Sequence, residues 1–86
     1  MWFVYLLKCK DDTLYCGISN NLEKRIKTHN SGKGAKYTKS RLPVTLFYYE
    51  TVLDKSEALK REYQIKKLSK SEKIYLKEKN SPKWVF

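Results

Sequence analysis

Glycine and proline are scarce in this chain of 86 residues, three and two respectively, and 41% of the residues are apolar. That balance excludes a collagen-like chain, a low-complexity linker and a disordered tail. No apolar run approaches the ~18 residues of a membrane span. The opening MWFVYLLKCK places its apolar stretch before its lysines, the reverse of a secretory signal, so it reads as a buried strand and the protein as cytoplasmic. There are two cysteines, Cys9 and Cys16, one histidine and no C-x-x-C, which argues against zinc and for reduced thiols. A chain this short builds one modest core, so residues 1–86 are expected to form a single domain.

Acidic residues are also few. Nine Asp and Glu stand against nineteen Lys and Arg, for a net charge of +10. So large an imbalance on a small surface points to a polyanion. Lys24, Arg25, Lys27, Lys33, Lys36, Lys39 and Arg41 fall in one stretch without a single acid. Solubility or an anionic membrane surface would also use such charge, but no helix here has the strongly amphipathic pattern of a membrane-surface helix. Nucleic acid is the expected partner.

The aromatic and branched run Trp2–Cys9 predicts a strand buried on both faces. Asp11-Asp12 predicts a turn and Leu14–Ser19 a second strand, completing a hairpin. Asn20 or Asn21 caps a helix carrying Leu22, Ile26 and Asn30 at helical spacing, stopped by Ser31-Gly32. Gly32–Arg41 reads as a basic loop and Val44–Thr51 as a third strand. Capping boxes at Asp54–Glu57 and Ser69–Glu72 open helices to about Lys67 and Asn80, and the apolar end, residues 82–86, is expected to dock on the body. The order is β-β-α-β-α-α. It predicts an α/β (α+β) fold, a three-stranded antiparallel sheet flanked by helices with the first strand central.

A few residues stand out. Ala58, Leu59, Ile65 and Leu68 form the expected core stripe of the helix after the third strand, and Glu62 lies on or beside it. Its carboxylate needs a partner there: a cation in a salt bridge, or a metal or reacting group at a pocket's edge. Arg25 and His29 share one side of their helix, which suits either a solvated face or phosphate chemistry. The relation of Tyr5 to Tyr15 hangs on hairpin parity. A two-residue loop places them on opposite faces. An odd loop pairing Cys9 with Thr13 sets Tyr5 opposite Gly17, puts both hydroxyls on one face, leaves room beside Tyr5, and separates Cys9 from Cys16.

Phe3-Val4-Tyr5, then Tyr15-Cys16-Gly17, Arg25, and a Glu on the helix after the third strand together resemble the GIY-YIG nuclease domain. The resemblance runs from about Trp2 to Lys79. It is closer still to small stand-alone bacterial members, which carry a stretch similar to His29–Thr38. Phe3-Val4 stand where the first triplet has Gly-Ile, Cys16 where the second has Ile, and Ile18 where some members have Lys.

The resemblance implies a phosphodiesterase site of Tyr5, Tyr15, Arg25, His29 and Glu62. Glu62 would hold one divalent cation, Mg²⁺ or Mn²⁺, and Arg25 would stabilise charge on the phosphate. Tyr15 or His29 would be the general base, with His29 otherwise positioning the water or Tyr5. Lys24, Lys33, Lys36, Tyr37, Thr38, Lys39 and Arg41 would form the nucleic-acid contact, with Tyr37 either stacking on a base or pinning the loop. The expected function is metal-dependent DNA endonuclease, selective for structure or single strands, serving DNA repair or recombination, with a protein partner supplying targeting. A binding module without cleavage and an RNA-binding or processing protein are the alternatives.

Overall fold

Four consecutive buried residues, Val4 to Leu7, mark β1 (Trp2–Lys8) as the centre of the sheet. In the computed structural model, which describes residues 1–79, β2 (Leu14–Ser19) and β3 (Thr45–Val52) flank it in the order β2-β1-β3, both antiparallel to it. Covered on both sides, β1 can afford no polar face, hence its unbroken apolar sequence. The apolar end at 82–86 lies outside the described residues.

The hairpin loop has three residues. The Cys9 N–H donates to the Thr13 carbonyl at 2.9 Å, and Asp12 takes φ 66°, a left-handed conformation that Asp tolerates better than most residues. This odd loop sets Tyr5 opposite Gly17 and Leu7 opposite Tyr15. One face of the sheet thus buries Tyr5, Leu7 and Cys9 with Val44, and the other buries Val4, Leu6 and Cys16 with Ala58 and Ile65. The two cysteines are free thiols on opposite faces.

Helix α1 (Leu22–Asn30) covers the tyrosine face. Asn21 caps it, accepting from the Lys24 N–H at 3.1 Å; Leu22 and Ile26 supply its core contact. Its far end is pinned by Asn30, whose side chain donates to the Val44 carbonyl and accepts from the Val44 N–H at 3.0 and 2.8 Å. Within the expected basic loop lies one turn of helix, α2 (Lys36–Lys39). Four residues are too few to show a period, so this turn leaves no trace in the sequence.

Helices α3 (Lys55–Lys66) and α4 (Lys70–Lys79) cover the opposite face. Asp54 accepts from the Glu57 N–H at 2.9 Å, while Ser69 and Glu72 exchange bonds at 2.8 and 3.2 Å, so both capping signals mark real helix starts. Ala58 and Ile65, seven residues apart, carry the buried stripe of α3. Leu59, expected in that stripe, is 48% exposed, because one residue is a 100° turn away from Ala58. A register shift between Leu6 and Leu7 lets both Phe47 and Tyr48 of β3 pack on this side. Arg61 of α3 donates two bonds to Glu50 of β3, at 2.7 and 2.9 Å, and the Tyr48 hydroxyl donates to the same carboxylate. These bonds tie helix to strand.

Candidate active site

Three side chains from distant parts of the chain form a buried line. The Tyr5 hydroxyl is 3.0 Å from Nε2 of His29, and Nδ1 of His29 is 2.9 Å from the Thr38 hydroxyl oxygen. The Thr38 hydroxyl also bonds the Ala35 carbonyl at 2.9 Å, and the Ala35 N–H donates to Nδ1 of His29 at 3.4 Å. Which way the protons run along this line is set by the ring tautomer. His29 and Thr38 are fully buried and Tyr5 is 1% exposed.

Tyr15 sets its ring edgewise against His29, centroids 5.4 Å apart, and is only half-buried. Arg25 lies close enough to the Tyr5 hydroxyl for its charge to act on the phenol. Arg25, Tyr5, Tyr15 and His29 are therefore brought together, on the face that the odd hairpin loop predicts. Two glycines make room for them. A Cβ at Gly17 would stand 2.5 Å from the Tyr5 hydroxyl oxygen, and one at Gly34 would run into the His29 ring and stand 2.8 Å from its Cα. The requirement at Gly34 is absent from the sequence reading. Its only trace is a glycine five residues after His29.

Burial pushes the Tyr5 phenol up; Arg25 beside it acts in the opposite direction without overcoming that cost. Burial pushes His29 down, and the Arg25 charge adds to the effect. Both directions favour the neutral pair of phenol and imidazole. His29, with no exposed surface and both nitrogens engaged, does not meet a water directly; it holds Tyr5.

The basic stretch divides by partner. Among the described residues, Lys24, Arg25, Lys33, Lys36 and Lys39 have no carboxylate, whereas Lys27 pairs with Glu23 and Arg41 with Asp11 at 3.0 Å. Arg41 also donates to the Tyr37 carbonyl at 2.8 Å and lies 4.1 Å over the Tyr37 ring, which stacks on Tyr15. Arg41 and Tyr37 thus fasten α2 to the hairpin loop and to Tyr15. Thr38, expected among the nucleic-acid contacts, is buried beneath them, and a side chain without surface touches no ligand. Its place is behind His29.

Glu62 is set apart from this group. It lies on α3, on the opposite side of the sheet, where its charge pushes the buried Cys16 thiol further up, to about 12, burial being the larger cause. Its partner is Lys66, at 3.4 Å one helical turn on. The Cys16 side chain belongs to β2, the edge strand, so Glu62 and Tyr15 flank the two sides of one sheet edge.

Comparison with known proteins identifies the relatives of this chain. Residues 1–80 match the family model of the GIY-YIG catalytic domain. A UPF0213 protein of Clostridium perfringens is 59% identical over 76 residues, covering 88% of this chain and 82% of that protein. The UPF0213 protein YazA of Bacillus subtilis is 51% identical over 82 residues, covering 94% and 83%. The solution structure of a UPF0213 protein from Bacillus halodurans, 40% identical, superposes with a TM-score of 0.60 over 98% of this chain and 90% of that one. The GIY-YIG domain is a nuclease domain whose members generally depend on a divalent metal. With its tyrosine pair, arginine and sheet order in place, this chain belongs to the GIY-YIG catalytic domain family.

Proposed function

We propose that this chain, as a single domain, is a metal-dependent endonuclease that hydrolyses phosphodiester bonds in DNA. The observation that carries the reading is the convergence of Tyr5, Tyr15 and Arg25 on one face, backed by the His29–Thr38 line and bordered by unpaired lysines. Pure binding needs the cations alone. It does not need a buried imidazole aimed at a phenol.

In this reading Arg25 forks onto the non-bridging oxygens of the scissile phosphate, where charge grows in the transition state. Tyr15, the tyrosine with exposed surface, reacts as its phenolate, which takes the proton of the attacking water and becomes the neutral phenol. Tyr5, bonded to His29 Nε2 at 3.0 Å, keeps its hydroxyl in place beside Arg25. Lys24, Lys33, Lys36 and Lys39 attract the backbone.

Glu62 fits a hard divalent cation such as Mg²⁺ or Mn²⁺. It offers carboxylate oxygens, and its ion pair among the described residues runs to a flexible, half-exposed lysine that an ion can displace. Such a cation, once bound, would supply Lewis-acid stabilisation to the phosphate. Among the described residues the site presents no recognition helix to a duplex groove, which suits strand ends, branches or single strands of the kind repair and recombination produce. The test is incubation with labelled single-stranded, duplex and branched DNA, and RNA, in Mg²⁺, Mn²⁺ or EDTA. Metal-dependent internal cutting of DNA is expected; retention of every substrate uncut, or cutting of RNA alone, would overturn the assignment.

A further inference from the structure

Beside Arg25 the surface opens into a shallow depression lined by Trp2, Ile18, Ser19, Asn20, Arg25 and Lys55. It sits where β1 begins and β2 ends, between the start of α1 and the start of α3. Its lining holds two cations and no acid. Neither Arg25 nor Lys55 has a carboxylate partner among the described residues. The adjacent Asp54 is turned away into the cap of α3. Lys55 Nζ lies 5.6 Å from the centroid of the Trp2 ring, which is half-buried and so keeps part of its surface open. The Asn20 side chain is exposed and makes no hydrogen bond among the described residues.

We infer that this depression is a nucleotide subsite that receives the nucleotide next to the scissile phosphate, with that nucleotide's phosphate on Lys55 and its unpaired base against Trp2. The inference rests on the nuclease reading for its orientation, because Arg25 is shared: its charge acts on the Tyr5 hydroxyl on one side and its side chain lines the depression on the other. A chain held by Arg25 at one phosphate therefore meets Lys55 next. An indole with a neighbouring ammonium supplies both parts of single-strand recognition, a stacking surface and a backbone charge. Asn20 has a donor and an acceptor free for a base edge. A paired base, already stacked between its neighbours, has no face to offer Trp2, so the subsite selects for unpaired nucleotides.

The chain holds two tryptophans, so Trp84→Phe leaves Trp2 as the only indole. This variant is titrated in EDTA with a short oligothymidylate and with an abasic oligomer of equal length and charge, following indole fluorescence. Saturable quenching by the oligothymidylate is expected, with about tenfold weaker affinity for the abasic strand. Adding Lys55→Ala, an exposed change that leaves the core intact, is expected to weaken oligothymidylate binding several-fold and flatten its log K against log salt slope by about 0.7. Equal quenching by both oligomers, or an unchanged slope in the Lys55 variant, overturns the subsite. Cleavage by the same Trp84→Phe protein in Mg²⁺ separates the two readings. Cutting without an indole response removes the subsite and keeps the nuclease. An indole response specific to unpaired bases, without cutting, keeps the subsite and removes the nuclease.

Discussion

The Tyr5 hydroxyl and the Gly17 backbone are so close that a Cβ on residue 17 would come within 2.5 Å of the phenolic oxygen. The glycine is a spatial requirement of the tyrosine across the strand pair, imposed by the hairpin register.

Gly17→Ala is therefore expected to destabilise the fold by about 1–3 kcal/mol, the usual cost of overpacking. It should also reduce cleavage beyond the loss of folded protein, since the atom displaced is the one that Arg25 and His29 share. Thermal melting and single-turnover cleavage separate the two effects; a variant with wild-type rates would free Tyr5 from the site.

Thr38→Val removes the hydroxyl that bonds His29 Nδ1 inside the core, at about 1–3 kcal/mol. Cleavage should fall at least tenfold as the imidazole loses the bond that orients its ring, and Thr38→Ser should restore most of it. If the serine variant is as impaired as the valine one, the hydroxyl is not the group that matters.

Stability should depend on pH in a window set by His29. Its folded pKa is lowered from the ordinary 6.5. Below 6.5 the unfolded chain binds a proton that the fold resists, so the stabilisation is complete above 6.5 and is lost as pH falls through and below that value. The carboxylates of Asp11, Glu50 and Glu72, also held below their ordinary values of 3.8 and 4.5, act with the same sign but at lower pH. Melting temperatures taken between pH 8 and 5 should decline for the wild type and stay level for His29→Gln. Parallel curves for the two proteins would show that His29 does not set the slope.

Glu62→Gln is expected to abolish cleavage with little change in stability. Its pair with Lys66 is a partly exposed i,i+4 contact, of a kind worth about 0.3–0.5 kcal/mol. Folding and DNA binding should survive, while a titration of Mg²⁺ should find no concentration that restores cutting. Near-normal cleavage by the Gln variant would remove Glu62 from the site.

Neutralising Lys33, Lys36 and Lys39 together should flatten the salt dependence of DNA binding by about two to three units of log–log slope. Arg41→Ala should behave differently. Because Arg41 spans Asp11 and the Tyr37 carbonyl, its loss should lower the melting temperature and loosen α2. An unchanged slope in the triple variant would place the footprint elsewhere.

Most of the scaffold was legible in the residues themselves. The unbroken apolar run at Val4–Leu7 is the mark of a strand covered on both faces, and Asn21, Asp54 and Ser69 announce their helices because capping is a local bond between near neighbours. Hairpin parity was reduced to two choices by counting, and the left-handed Asp12 decided between them. The spacing of Arg25 and His29 placed both on one side of α1, since an α-helix repeats every 3.6 residues wherever it lies.

What tertiary structure alone decided is the state of each side chain. Nothing local tells that His29 is fully buried, that Thr38 supports it, or that Arg41 spends its charge on Asp11, thirty residues away, while Lys33, Lys36 and Lys39 keep theirs unpaired. Burial and hydrogen-bond partners depend on which distant segments close over a residue, and it is desolvation by those segments that shifts His29 and Tyr5 toward their neutral forms.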